Sequence, residues 1–97
     1  MIPDLILKEL KTLFPNYTIS PHPVNNNNLQ IKLLSNKDDF DAAITDETFK
    51  KLSDIFNTED INIVGYRKPN SSMTLRGKRL GYKDYMCTID IKNFELV

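Results

Sequence analysis

From Tyr85 to Lys92 the chain alternates without a break. Tyr85, Cys87, Ile89 and Ile91 interleave with Met86, Thr88, Asp90 and Lys92. A period of two places the two sets on opposite sides of a β-strand. One side is apolar, so it needs a covering layer, and that need constrains the fold more than any other feature. Ile61 to Arg67 adds a second strand, with Ile61 and Ile63 facing one way and Val64 and Tyr66 the other. Apolar residues on both sides point to an interior strand or to one that contacts a partner.

The covering layer lies upstream. Ile6, Leu10 and Leu13 recur at helical spacing, and Leu7 and Phe14 widen the stripe. Pro3 suits a first helical turn, where its missing N–H costs nothing. The pattern predicts a helix from about Pro3 to Phe14. A second stripe, Phe49, Leu52 and Phe56 with Ile55 beside it, follows Thr45 as N-cap and Asp46 and Glu47 in the first turn. Glu47 and Lys51 form an i, i+4 pair, and Asn57 is the expected stop, giving a helix from about Asp46 to Phe56.

Between the helices, Tyr17 to Ile19 reads as a short strand whose end Pro21 and Pro23 assign to an edge or an exit. Four asparagines, Asn25 to Asn28, form a turn, and Leu29, Ile31 and Leu33 form the strand that pairs back. Phe40-Asp41-Ala42-Ala43-Ile44 fits either a short strand or an early helical turn through Phe40 and Ile44; the alternation favours a strand. Met73 and Leu75 open a strand that fades into Arg76-Gly77-Lys78-Arg79, with a turn expected at Leu80-Gly81. The sum is a single α+β domain over residues 1–97, a mostly antiparallel sheet of about five to six strands with two helices on one face.

Several chemistries lack their residues. The lone cysteine, Cys87, allows no intramolecular disulfide and no cysteine-based zinc site, and its place on the apolar side of the alternation predicts core packing. The single histidine, His22, sits between two prolines with no local carboxylate or second ligand. Asp38, Asp39 and Asp41 lack the glycine and closing glutamate of a calcium loop. With three glycines, no phosphate-binding or dinucleotide motif can be built. No enzyme, cofactor or metal is expected. The start is amphipathic rather than a signal peptide, and no run is long enough to span a bilayer, so the expected location is the cytoplasm or a particle assembled there, with no membrane partner.

Charge layout carries the functional signal. The formal net charge is zero, yet residues 38–60 hold eight acids and two bases, net −6, while residues 61–83 hold six bases and no acid, net +6. The bases, Arg67, Lys68, Arg76, Lys78, Arg79 and Lys83, are candidates for contact with a partner or with nucleic acid. Asp38, Asp39, Asp41, Asp46, Glu47 and Asp54 form a candidate acidic contact surface. Three uses fit this layout: an assembly protein joining acidic to basic faces, a small nucleic-acid-binding module stacking bases on Tyr66 or Tyr82, and an inhibitor from a mobile element that grips a host defence protein. A fourth account is a solvated asymmetry without function.

The element order resembles that of the small tail-terminator and minor-capsid proteins of tailed phages. Those have an N-terminal helix, a hairpin, a second helix before a strand, and a final long hairpin. The resemblance rests on Ile6, Leu10 and Leu13, on Phe49 to Phe56 leading into INIVGY, and on LGYKDYMCTIDI. It covers most of the chain as a pattern and transfers no functional residue. It implies an oligomeric virion component of the tail-completion or head–tail kind, whose partner is a protein, either itself or another.

Overall fold

The computed structural model describes residues 2–75 and 78–95, with 71–75 and 78–81 described by their backbone alone. The chain runs α1 (Asp4–Leu13), β1 (Thr18–Asn25), β2 (Asn28–Ser35), α2 (Phe40–Ala43), α3 (Asp46–Phe56), β3 (Ile61–Arg67), β4 (Asn70–Leu75), β5 (Lys78–Tyr82) and β6 (Tyr85–Ile91). It is an α+β protein built on a four-stranded antiparallel sheet of order β1-β2-β6-β3.

The alternation in β2 and β6 meets in register. Leu29 faces Ile91, Ile31 faces Ile89, and Leu33 faces Cys87. All six are buried, and with Leu10 and Phe14 of the first helical segment and Leu52 and Phe56 of α3 they form the core. Both long helices therefore cover one face of the sheet. Full burial of each such side chain contributes about 1.5–3 kcal/mol, so this ladder and its helical lid supply most of the driving force. Burial pushes the Cys87 thiol above its ordinary range and keeps it protonated.

The helix ends follow the sequence. Thr45 Oγ1 accepts the Thr48 N–H at 3.3 Å, and Thr48 Oγ1 donates to the Ala43 carbonyl at 2.7 Å. Asn57 closes α3 in the left-handed region at φ 52°, its N–H donating to the Ser53 carbonyl. The Glu47–Lys51 ion pair forms at 3.4 Å.

Four expectations change. First, residues 40–44 are helical: the Ile44 N–H donates to the Phe40 carbonyl at 2.7 Å. Phe40 is buried and Ile44 half-buried while Ala42 is exposed, so the 3.6-residue period wins over the alternation. Second, the sheet has four strands rather than five or six, because β4 and β5 form a separate two-stranded ribbon. Pro69 brings no N–H to extend the ladder there, and NSSMTL and KRLGY carry too few alternating apolar residues to need a helical lid. The helices among the described residues number three, with α2 the addition. Third, Leu80 and Gly81 lie within β5, where Leu80 pairs with Met73, rather than at a turn. Fourth, β3 is an edge strand, not an interior one. Pro21 and Pro23 do lie on an edge strand, but β1 continues past both to Asn25.

Leu33→Ala is expected to lower the unfolding free energy by about 2–5 kcal/mol through the cavity it leaves. Thr45→Ala is expected to cost about 1 kcal/mol through the lost cap. Denaturant titration followed by circular dichroism measures both, and a loss at Leu33 no larger than at Thr45 would contradict the central place of the β2–β6 ladder.

Candidate interaction surface

Within the described residues β3 pairs only with β6. Its outer rim therefore presents strand N–H and carbonyl groups to solvent. The pairing sets which side each residue occupies. Ile61, Ile63 and Tyr66 lie opposite Ile91, Ile89 and Cys87 and so share the helix-covered face; Asn62, Gly65 and Arg67 lie opposite Asp90, Thr88 and Met86 on the other. A register shift between Ile63 and Gly65 inserts Val64 as an extra residue. That bulge returns Tyr66 to the core side, where simple alternation does not put it. Ile63 is 49%, Val64 53% and Tyr66 47% exposed, so three large side chains within four positions of this rim remain half in water.

Beside the rim, α2 and the turn before it hold the acidic residues in place. Tyr17 Oη donates to Asp39 Oδ1 at 2.6 Å, and the Tyr17 ring stacks on Phe40 with centroids 5.3 Å apart. The Tyr17 phenol is held well above its ordinary value by burial, by this hydrogen bond and by the charge of Asp39. Tyr66 meets Phe40 edge to face at 6.0 Å, with the Asp38 carboxylate near its hydroxyl. Its phenol is pushed up to about 12, first by desolvation against the protein, then by Asp38 and, more weakly, by the Asp41 charge. Between α2 and β3 lies an open cleft of 480 Å³ floored by Phe40, Ile44 and Ile63 and flanked by Asp38, Asp41 and Lys68.

The acidic candidates fall into separate places. Asp38, Asp39 and Asp41 gather at the start of α2, Asp46 and Glu47 occupy the first turn of α3, and Asp54 lies about two turns further along it. Glu47 is engaged by Lys51, and Asp38 and Asp41 share their cleft with Lys68. Among the described residues no ion pair joins the acidic segment 38–60 to the basic segment 61–83.

The basic candidates centre on the β4–β5 ribbon, which continues the β3–β6 pair beyond Lys68 and Lys83. Lys68 and Lys83 are exposed at its base. Arg67 is half-buried, its guanidinium 3.5 Å from the centroid of the Tyr82 ring, a cation–π stack. Its Nε is buried with no hydrogen-bond partner among the described residues. Arg76 lies outside the described residues, as do the side chains of Lys78 and Arg79. The two tyrosines expected to stack on bases already have neighbours: Arg67 covers one face of Tyr82, and Tyr66 lies against Phe40 and near Asp38.

Elsewhere, His22 Nε2 lies 3.0 Å from Ser20 Oγ on the exposed β1 edge. No group of three or more metal-ligating side chains occurs among the described residues. No helix there is long and apolar enough to cross a membrane. What the sequence reading missed is the pairing of Tyr17 with Asp39 and of Tyr66 with Asp38. Both join residues more than twenty positions apart, and no local pattern signals them.

The neutral phenol of Tyr66 is favoured by the fold. Its contribution to stability is full below the ordinary tyrosine value of about 10 and is lost as pH rises through about 12. In Asp38→Asn the Tyr66 titration is expected to fall toward the ordinary value, read by phenolate absorbance against a Tyr66→Phe reference; an unmoved titration would remove Asp38 as its partner. Comparison with known proteins attaches no family to this surface: no family model matches the chain, and neither a curated protein nor a solved structure shows significant similarity to it.

Proposed function

We propose that this protein is a non-enzymatic association module, an assembly or binding component that works by docking against protein. The observation that carries this reading is the β3 rim. An unpaired strand edge bearing Ile63, Val64 and Tyr66, each about half exposed, is unusual on a chain that stays alone, because such edges template pairing with further strands. The cleft beside it adds apolar surface flanked by charges of both signs, the composition of a contact face rather than of a reaction centre. The resemblance in element order to phage tail-terminator and minor-capsid proteins points the same way, toward an oligomer within a particle or in the cytoplasm.

The placement of the tyrosines favours protein over nucleic acid as the partner. Single-stranded binding sites use open aromatic faces beside basic side chains; here Tyr66 packs edge to face against Phe40 and Arg67 covers one face of Tyr82, so each ring keeps about half of its surface. Gel-shift titration with single- and double-stranded DNA and RNA at low salt is expected to show no binding. A monomer that shifts nucleic acid with an affinity falling steeply as salt rises would overturn the reading.

A further inference from the structure

Resting on the association reading, we infer that the partner at the β3 rim is a second copy of this chain, added antiparallel so that two four-stranded sheets join into one of eight strands. Three observations select this occupant.

The first is the contrast between the two edges of the sheet. β1 carries Pro21 and Pro23, which cannot donate to a new ladder. β3, INIVGYR, carries no proline and no lysine, and its centre is β-branched and exposed. Only one edge is free to extend.

The second is register. Residues opposed across antiparallel strands share a face. With the face assignments above, a two-fold axis between Ile63 and Val64 opposes Ile61 to the partner copy's Tyr66 on the helix-covered side and Asn62 to its Gly65 on the other. Moving the axis by half a residue either way sets core-side residues against outer-side ones. The extra residue at the bulge makes this register match, and it puts both bulges at the axis.

The third is charge. The same register places Glu59 opposite Lys68 of the second copy and Asp60 opposite its Arg67, each pairing occurring twice. The next face-consistent register, shifted by one residue, opposes Ile61 to Lys68 and Asp60 to Pro69 and loses both. Glu59 and Lys68 are exposed and free to meet. Asp60 already accepts a hydrogen bond from Asn93 Nδ2 at 3.0 Å, which holds its carboxylate beside the start of β3.

Glu59→Lys and Lys68→Glu test the inference. Sedimentation velocity of the full chain at micromolar concentration and above is expected to show a dimer. Either single substitution sets like charges across the interface twice and is expected to weaken the dimer by roughly tenfold. The double variant E59K/K68E is expected to restore it. An equimolar mixture of the single variants is expected to form heterodimers, because one copy then presents two lysines to two glutamates of the other. Circular dichroism verifies that each variant is folded, both positions being exposed. A wild-type chain that remains monomeric at submillimolar concentration overturns the second copy as occupant. A dimer indifferent to the single substitutions, or not recovered in the double variant and the mixture, overturns the β3 register. Neither result touches the association reading, which falls instead on the nucleic-acid titration.

Discussion

The structure depends on six side chains facing each other in pairs. Leu29 with Ile91, Ile31 with Ile89 and Leu33 with Cys87 make one continuous apolar strip across β2 and β6. A strip so placed has to be covered, and α1 and α3 cover it with Leu10, Phe14, Leu52 and Phe56. The rest of the architecture follows from how narrow the strip is. Two central strands take most of the helical cover, so the flanking strands are only partly roofed. Ile19 on β1 and Ile61 on β3 are half-buried, and Ile63 is half-exposed although it stands opposite fully buried Ile89. A chain of this length has limited apolar surface to bury, and here the shortage falls at the sheet's edges.

The strip was legible because period-two alternation survives in the sequence when one side of a strand is buried and the other is wet. The capped helix α3 was legible for a related reason: Thr45, Asp46, Glu47 and Asn57 each act within a turn of their own position. What was not legible depends on distant partners. Phe40 to Ile44 satisfies both periods in a five-residue window, and only the burial of Phe40 beside Tyr17 and Tyr66 separates them. The bulge at Val64 leaves no local trace, and its neighbour Gly65 gives no steric signal either: a Cβ there would make ordinary contact with the Thr88 side chain at 3.5 Å. Missing that bulge sends Tyr66 to the wrong face. Apolar residues on both sides of β3 fitted an interior strand or a partner contact, and the sheet order removes the first.

The charge segregation changes meaning once it is folded. In the sequence the acidic and basic segments are adjacent blocks of −6 and +6. In the fold the acidic block divides among the start of α2, the first turn of α3 and the chain leading into β3. Within its first group, Asp39 is held in place by the Tyr17 hydroxyl. The acids with no such tie include Glu59, at the entrance to β3, while Lys68 stands at the exit of the same strand. A strand acidic at one end and basic at the other is mismatched with a parallel copy and matched with an antiparallel one.

That polarity also explains why an exposed rim need not make the protein aggregate without limit. Edge strands are usually blunted by proline, inward charge or twist. β1 uses proline, whereas β3 carries none, and its bulge raises the local twist without closing the edge. An antiparallel pair about a two-fold axis consumes the β3 rim of both copies and leaves the proline-bearing β1 edges outermost, so growth stops at two. A head-to-tail joining of β3 to β1 would instead propagate, and Pro21 and Pro23 oppose it by withholding two backbone donors.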